Sequence, residues 1–340
     1  MKQYLEKLSS QNPLNEEEMM LAAQSLFSDE ISESEIAAFL IALKSKGETA
    51  EEIASLVKVL RQHAVKIKTS QENIMDNCGT GGDGSQSFNI STASAFVLAG
   101  AGIKIAKHGN RSVSSKTGSA DVLEELGVNL ELGTGQIEEL LEEAGITFLF
   151  APSIQPKTRR IMKIRRELKV STVFNIIGPL TNPVNLDSQL LGVYRKDLLG
   201  LMASVLNKLG RKRAVVLTGA GNMDEASLQG ENSLVLLENG RMTSFTVHPE
   251  EVGLPVYSNE AIRGGGSKEN SEILLSVLHG VKGPCLDTVL LNAGIGIYAN
   301  GRANSITGGI QQARESIRSG AALEKLQMLI AYSQKNKAVI

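Results

Sequence analysis

The stretch MDNCGTGGDGSQSFNIST, residues 75–92, runs from a short apolar segment through a glycine-rich loop into an apolar helical pattern. Four glycines fall within residues 79–84, and Asn89, Ser91 and Thr92 stand where the helix is predicted to begin. Glycines let backbone N–H groups approach a ligand closely, and polar side chains at a helix N-terminus bind phosphate together with the free N–H groups. The strand–loop–helix order predicts an α/β fold with a phosphate site here, and an ordinary helix cap is the alternative.

The same loop also matches a dinucleotide-binding pattern, because Gly79, Gly81 and Gly84 satisfy G-x-G-x-x-G. Such a site requires an acidic residue at the end of the next strand to bind the ribose hydroxyls. The next apolar segment, IKIAKHG, supplies Lys107 at that point, and the lysine of a P-loop is missing as well. A dinucleotide site is therefore not expected.

Beyond this loop, short apolar segments alternate with helical patterns. Strands are predicted at 103–106, Ile146–Phe150 and 214–217, and helices at 121–126 and 137–144. This alternation predicts a mostly parallel sheet covered by helices. The segments 233–237 and 242–247, joined by Asn239-Gly240, predict a β-hairpin, and the chain from Ile306 onward is again helical.

The first seventy residues contain only helical patterns. Helix-start pairs occur at Asn15 with Glu18, Ser32 with Glu35, and Thr49 with Glu52. Apolar residues at helical spacing follow the second pair, namely Ile36, Phe39, Leu40 and Leu43, and Gly47 is placed as a helix end. We expect a small helical unit with a packing role.

Composition excludes several classes of function. The 340 residues predict about two domains, and 42% hydrophobic residues with 21% charged residues can build a core. A net charge of -2 argues against a nucleic-acid or membrane coat, and 4% aromatics without Trp argue against a base-stacking platform. Cys78 and Cys285 form no metal-ligand spacing. With no signal-peptide core and no long apolar run, we expect a soluble, cytoplasmic protein.

Two further polar stretches follow predicted strands. KHGNRSVSSKTGS, residues 107–119, places three basic residues among hydroxyls and glycines, which predicts a second polyanion loop or, alternatively, a solvated basic turn. Asp224 and Glu225 follow the strand at 214–217. An acidic pair is usually plain surface, but at the carboxyl end of a strand it predicts a cation site. Oxygen ligands without clustered His or Cys favour Mg²⁺ over zinc.

The segment 157–166, KTRRIMKIRR, carries six basic residues in ten. A solvated helix face is one interpretation, and an arginine turned inward to bind a carboxylate or phosphate is another. A nucleic-acid patch is less favoured, because no aromatic residues interleave and the whole chain is slightly acidic. The pattern does not decide among these interpretations.

Taken together, CGTGGDG with NIST, KHGNRSVSSKTGSADVLEELG, FNIIGPLTNP and MDEAS resemble anthranilate phosphoribosyltransferases, and the resemblance runs through essentially the whole chain. It implies transfer of the phosphoribosyl group of 5-phosphoribosyl 1-diphosphate to the amine of anthranilate, with release of pyrophosphate, in tryptophan biosynthesis. It implies a cytoplasmic homodimer with two Mg²⁺ per monomer, no nucleic-acid partner and no membrane. It also implies a nucleoside phosphorylase/phosphoribosyltransferase-like fold: a helical domain of residues 1–70 joined by about 160–188, and an α/β domain of 71–160 and 189–340.

The resemblance also assigns site residues by motif. Gly79, Asn110 and Arg165 would contact anthranilate, with Arg165 pairing with its carboxylate. Ser91 would hold one magnesium, and Asp224 and Glu225 the second. No single catalytic base is expected, because the aromatic amine is neutral at pH 7 and stabilisation of the departing pyrophosphate would carry the rate. The residues that would contact 5-phosphoribosyl 1-diphosphate are Gly79, Gly82, Asp83, Ser87, Asn89, Ile90, Ser91, Thr92, Lys107, His108, Gly109, Asn110, Arg111, Ser112, Val113, Ser114, Ser115 and Ser119.

Two segments depart from the family pattern. The family often has His-Pro where this chain has Gln155-Pro156, and His-Gly-x-Asp-Gly-Leu where residues 218–223 read TGAGNM. Neither change removes a phosphate or metal residue. Two alternatives remain: a pyrimidine nucleoside phosphorylase, whose chain is longer and whose loops differ, and a non-enzymatic nucleic-acid-binding relative of the same fold. The latter would be expected to be more basic and could lose Asp224 and Glu225.

Overall fold

The computed structural model describes residues 1–112 and 116–335. No helix in these two ranges is long and apolar enough to span a lipid bilayer. The strands are β1 (Ile74–Asp76), β2 (Lys104–Gly109), β3 (Ile146–Phe150), β4 (Ser188–Gly192), β5 (Arg213–Thr218), β6 (Asn232–Glu238) and β7 (Arg241–Val247). The α-helices are α1 (Lys2–Ser9), α2 (Glu16–Ser25), α3 (Glu33–Lys46), α4 (Ala50–His63), α5 (Ile90–Gly100), α6 (Ser119–Glu125), α7 (Thr134–Glu143), α8 (Ala151–Ile154), α9 (Arg159–Leu168), α10 (Leu199–Lys208), α11 (Ser267–Leu278), α12 (Pro284–Asn300), α13 (Ile306–Arg318) and α14 (Ala321–Lys335).

The strands of the described chain form one sheet in the order β3-β2-β1-β4-β5-β6-β7. The first five of these pair in parallel, while β5–β6 and β6–β7 pair antiparallel. The predicted mostly parallel sheet and the hairpin around Asn239-Gly240 are therefore confirmed.

The predicted helix starts in the N-terminal region are also confirmed. Capping boxes begin α2, α3 and α4 at Asn15, Ser32 and Thr49, with Glu18, Glu35 and Glu52 as the returning carboxylates. The carboxylate of Glu52, fully buried, additionally accepts from Leu14 N at 3.0 Å and from Lys46 Nζ at 2.7 Å. This one side chain therefore ties the segment before α2 to the turn between α3 and α4.

The alternation of side chains along each strand divides the core between the two faces of the sheet. On β5, Val215 and Leu217 pack with α5 and the C-terminal helices, while Ala214 and Val216 pack with α10 and the N-terminal helices. A strand buried on both faces has a continuous apolar sequence, as residues 214–217 do.

We propose that residues 1–70 and about 160–188 form the small domain, with the remainder of the chain forming the α/β domain. The packing supports this division, because apolar side chains of α1–α4 share one cluster with Ile161, Ile164, Val173 and Leu180. The same cluster continues through α10 onto the sheet, so the helical unit rests against one face of the α/β unit.

The strand order reverses direction between β1 and β4, since the chain adds β2 and β3 on one side of β1 and β4 and β5 on the other. In parallel α/β sheets, ligands bind beyond the carboxyl ends of the strands at such a reversal. The glycine-rich loop follows β1 at this point, the basic loop follows β2, and the acidic pair follows β5. The fold therefore brings the three polar stretches to one sheet edge.

Candidate active site

The glycine-rich loop is held at its start by neighbouring backbone. Thr80 N donates to Gly192 O, at the end of β4, at 2.9 Å, and Gly81 N donates to the carboxylate of Asp224 at 2.6 Å. A Cβ on Gly79 would lie 2.4 Å from Asp224 Oδ2, so only glycine lets the loop approach this carboxylate. Gly79 therefore allows the glycine-rich loop to pack directly against the acidic pair.

The acidic turn is enclosed by two more glycines. A Cβ on Gly192 would lie 1.6 Å from Asp224 O, and a Cβ on Gly219 would lie 2.0 Å from Glu225 O. Both clashes involve backbone atoms, which cannot rotate away as side-chain atoms can. Gly192 and Gly219 thus allow the turn to pack against the ends of β4 and β5, and this packing fixes the position of both carboxylates.

The acidic pair forms part of a cluster of negative charge. Desolvation and the nearby charge of Asp83 raise the pKa of Asp224, and desolvation and the charge of Asp224 raise the pKa of Glu225. The amine of Lys107 acts in the opposite direction and lowers the pKa of Glu225. Asp83 Oδ1 accepts from Ser85 N at 3.1 Å, but its buried Oδ2 has no hydrogen-bond donor among the described residues. Three carboxylates therefore share a region that has too little positive charge to balance them.

This chemistry fits a magnesium ion. Crowded carboxylates with raised pKa values and an orphaned carboxylate oxygen are relieved by a divalent cation, and Mg²⁺ prefers oxygen ligands. Within residues 1–112 and 116–335, no group of three His, Cys, Asp or Glu side chains is arranged to hold a metal by itself. Mg²⁺ bound by one or two carboxylates usually takes its remaining ligands from water and substrate phosphates.

Helix α5 begins at the glycine loop without an ordinary cap. The Asn89 side chain makes no capping hydrogen bond. It donates instead to Thr117 O at 3.3 Å and accepts from Asn270 Nδ2 at 2.8 Å. Ser91 N donates to Glu225 Oε1 at 3.1 Å. The N–H groups at a helix start suit an anion. In this structure Ile90 N donates to Phe88 O at 2.7 Å, and the Glu225 carboxylate takes the anion position at Ser91 N.

Lys107, buried on β2, points towards the same region. Its Nζ lies 3.4 Å from both Asn77 O and Asn77 Oδ1, and Asn77 Nδ2 donates to Ser91 O at 2.8 Å. Asn77 is not among the residues predicted from the sequence, although its place directly after β1 and before the glycines was a usable signal. It links the lysine to the start of α5.

The second loop folds back on α6. Asn110 O accepts from the Ser119 hydroxyl at 3.3 Å and from Ala120 N at 3.2 Å. The Arg111 guanidinium bonds Asp121 and Glu124, which holds this side chain against α6. Three of the residues assigned to this loop lie outside the described residues, namely Val113, Ser114 and Ser115.

The basic segment forms α9, and its members differ in environment. Arg159 and Arg166 are exposed, Lys163 pairs with Glu33 at 3.0 Å, and Arg160 donates to the carbonyls of Ser28 and Ile31. Most basic residues of this segment therefore either face solvent or bind the helical unit.

Arg165 is the exception in α9. It is half-buried, its guanidinium lies over the Phe174 ring at 5.4 Å, and it contacts Asn175 Oδ1 at 3.3 Å. Desolvation lowers its pKa, and no carboxylate of the described residues lies within 4.0 Å of it. A desolvated cation without an acidic partner suits the carboxylate of a ligand.

The two departures from the family pattern have structural roles here. The buried Gln155 donates to Thr181 O at 3.0 Å, which fixes α8 to the FNIIGPLTNP segment. Thr218 donates to Val193 O at 2.6 Å, and Gly219 and Met223 exchange backbone hydrogen bonds that close the turn before the acidic pair.

Comparisons with known proteins agree with this architecture. Residues 2–64 match the model of the glycosyl transferase family, helical bundle domain, and residues 71–323 match that of the glycosyl transferase family, a/b domain. The anthranilate phosphoribosyltransferase of Exiguobacterium sibiricum is 62% identical over 98% of this chain and 99% of its own, and that of Bacillus mycoides is 59% identical over 98% of each.

Solved structures give the same result. The anthranilate phosphoribosyltransferase of Thermus thermophilus superposes with a TM-score of 0.92 at 41% identity, covering 97% of this chain and 99% of its own. The anthranilate phosphoribosyltransferase of Saccharomyces cerevisiae, in complex with PRPP and Mg, superposes with a TM-score of 0.89 at 29% identity. This match covers 98% of this chain and 97% of the yeast chain. The chain belongs to the anthranilate phosphoribosyltransferase family.

Proposed function

We propose that this protein is a pentosyltransferase that joins anthranilate to 5-phosphoribosyl 1-diphosphate, giving N-(5-phosphoribosyl)anthranilate and pyrophosphate in tryptophan biosynthesis. The observation that carries the proposal is the meeting of the glycine loop, the start of α5 and the acidic pair, joined by Gly81 N to Asp224 at 2.6 Å and Ser91 N to Glu225 at 3.1 Å. N–H donors and crowded carboxylates at one point suit a phosphorylated ligand that carries its own cation.

The expected chemistry follows from charge. Breaking the ribose C1–O bond builds negative charge on the departing pyrophosphate and positive charge on the sugar. The Lys107 amine, which lies beside Asn77 and lowers the pKa of Glu225 by its charge, would stabilise the departing group together with the loop N–H groups. Bound magnesium would neutralise further phosphate charge, and Ser91, Asp224 and Glu225 are the residues that would hold two ions.

The nucleophile would be oriented by its carboxylate. Arg165 has the partial burial and the unneutralised charge that such pairing requires. The ring of Phe174 and the amide of Asn175 restrict the guanidinium. A bidentate grip by this group would direct the adjacent amine towards the ribose carbon, and positioning of this kind contributes much of the rate of a two-substrate reaction.

Solved relatives support both substrates. The Saccharomyces cerevisiae enzyme has been solved in complex with PRPP and Mg, and also with 4-fluoroanthranilate. We further propose a cytoplasmic homodimer. Cys78 and Cys285 are free thiols, which is typical of a reducing compartment. Sedimentation of the purified protein would test the dimer.

One assay separates this function from its alternatives. Pyrophosphate release from 5-phosphoribosyl 1-diphosphate and Mg²⁺ is expected only when anthranilate is present. A nucleoside phosphorylase would instead consume a nucleoside with inorganic phosphate, and a nucleic-acid-binding relative would release no pyrophosphate in either condition. Either of these last two results would refute the proposal.

A further inference from the structure

Four hydrogen bonds close a ring behind the two phosphate loops. Asn270 Nδ2 donates to Asn89 Oδ1 at 2.8 Å, and Asn89 Nδ2 donates to Thr117 O at 3.3 Å. The Thr117 hydroxyl donates to Gly265 O at 2.8 Å, and Gly265 N donates back to Asn270 Oδ1 at 2.8 Å. Each of the four residues donates one hydrogen bond and accepts one within the ring, so all four hydrogen bonds point the same way round it.

The ring joins three parts of the chain that are distant in sequence. Asn89 precedes α5 at the end of the glycine loop, Thr117 lies at the end of the basic loop, and Asn270 lies on α11. Asn270 is 2% exposed and Thr117 is 7% exposed, so bulk water does not offer replacement partners. Losing either ring bond of Asn270 therefore leaves a buried polar group of this side chain without its partner.

The backbone around the ring is equally constrained. Phe88 N donates to Ile262 O at 3.0 Å, and Gly264 N donates to Gln86 O at 2.9 Å, so the glycine loop pairs with the segment before α11. A Cβ on Gly264 would lie 2.8 Å from Phe88 Cα, which only glycine avoids. This segment therefore forms a rigid support for the end of the glycine loop.

We infer that Asn270 is a positioning residue for the diphosphate substrate, acting through Asn89 and Thr117 to hold the two phosphate loops at a fixed separation. The inference rests on the proposed function for the identity of that substrate. Neither of the ring bonds that Asn270 makes involves Arg165, the residue assigned to the anthranilate carboxylate, so we expect the larger effect on the diphosphate substrate.

The isosteric variant Asn270→Asp opens the ring. In its ionised form the new carboxylate keeps an acceptor for Gly265 N but places an acceptor against Asn89 Oδ1, so the Asn89 amide then either loses that bond or flips and loses Thr117 O. Asn300→Asp is the matched control, because Asn300 Nδ2 donates to Ser188 Oγ at 2.9 Å at the opposite end of the sheet. The dissociation constant of the diphosphate substrate with Mg²⁺, measured by calorimetry, should rise roughly tenfold in Asn270→Asp and stay unchanged in Asn300→Asp.

Thr117→Val opens the same ring at a different bond and removes no volume. If the ring acts as a unit, the double variant Asn270→Asp/Thr117→Val should bind the diphosphate substrate no more weakly than the worse single variant. The KM for anthranilate should change less than about twofold in all of them. Additive losses, or equal losses for both substrates, would overturn the inference in favour of a general packing role.

Hydrogen exchange of the ligand-free protein gives a readout that needs neither substrate nor turnover. Amides of residues 89–92 and 116–119 should exchange faster in Asn270→Asp than in the wild type, with no change in Asn300→Asp. Unchanged exchange in both segments would refute the ring as a constraint on the loops. If exchange accelerates but the wild type does not bind 5-phosphoribosyl 1-diphosphate, the proposed function fails and the substrate assignment of Asn270 fails with it.

Discussion

The carboxylate of Asp224 accepts a hydrogen bond from the backbone N–H of Gly81 at 2.6 Å, although the two residues are 143 positions apart in the chain. The adjacent Glu225 accepts from Ser91 N at 3.1 Å in the same way. The acidic pair thus engages N–H groups that are suited to phosphate. A bound cation would neutralise the crowded carboxylates, and a bound phosphate would take over the N–H groups that they occupy. The two ligands are therefore expected to bind together.

Replacing Asp224 with Asn and Glu225 with Gln should weaken the binding of magnesium while leaving the fold intact. The amides keep an acceptor for each N–H but lose the charge that attracts the cation. We expect the apparent KM for Mg²⁺ to rise at least about tenfold. The free energy of unfolding without Mg²⁺ should not fall, because the amides remove both the desolvation of charge and the like-charge repulsion that raise the pKa values of this pair. Wild-type turnover at limiting Mg²⁺ would contradict the metal assignment.

The substitution Gly192→Ala should displace the acidic turn. The new Cβ would meet Asp224 O at 1.6 Å, so backbone must move, at a cost of about 1–3 kcal/mol in unfolding free energy. The displacement should also raise the KM for Mg²⁺. Gly200→Ala is the control, since among the described residues no atom other than those of its chain neighbours and the nearby backbone of α10 lies within 4 Å of its Cβ position, and it should stabilise by up to about 1 kcal/mol. Equal behaviour of the two variants in urea denaturation and magnesium titration would refute the contact.

The substitution Arg165→Ala should weaken the binding of anthranilate selectively. The KM for anthranilate should rise, because the variant loses a charged hydrogen bond to the substrate carboxylate. The rise should correspond to a loss of about 1.5–3 kcal/mol in binding free energy. The KM for the diphosphate substrate should change far less, and thermal stability should hardly change. Arg159→Ala, on the exposed side of the same helix, is the control. Equal effects of both variants on both substrates would indicate a nonspecific basic face.

His108 should make the stability depend on pH. Desolvation lowers its pKa to about 4, below the ordinary value of 6.5, so the unfolded chain binds a proton more readily between these values. The stability that the neutral, buried His108 contributes is fully present above pH 6.5, and it is lost as the pH falls from 6.5 towards 4. At pH 5 the loss amounts to about 2 kcal/mol.

The variant His108→Gln isolates this contribution. Asp76, whose pKa burial raises to about 6, acts in the opposite direction but is present in both proteins and cancels in the difference. The stability of the wild type relative to the variant, from urea denaturation, should therefore shrink by about 2 kcal/mol between pH 8 and pH 5. Parallel pH profiles would show that His108 is not buried in its neutral form.

Features set by local sequence were predictable. The capping boxes at Ser32 and Thr49 need only residues three positions apart, and the hairpin at Asn239-Gly240 needs only its turn. The glycine loop and the acidic pair were found as separate motifs because each follows an apolar strand pattern. The resemblance to a known family supplied the roles that the patterns alone left open, such as that of Arg165.

Contacts between distant parts of the chain could not be predicted in this way. The residues next to Gly192 do not indicate that a glycine is needed there. Glycine is needed because the backbone of Asp224 packs against this position. Asn270 likewise becomes informative only through Asn89. Helix α12 was missed for another reason: it is buried nearly all round, so its sequence lacks the amphipathic period by which surface helices are recognised.

The most direct test of the central claim is to detect the bond that the reaction forms. Anthranilate labelled with ¹⁵N at its amine, incubated with the protein, 5-phosphoribosyl 1-diphosphate and Mg²⁺, should yield a product in which the labelled nitrogen is bonded to ribose C1. One pyrophosphate should be released for each such bond, and none without anthranilate. Pyrophosphate release without a nitrogen–C1 bond, or no reaction by the folded protein with saturating substrates and Mg²⁺, would contradict the account.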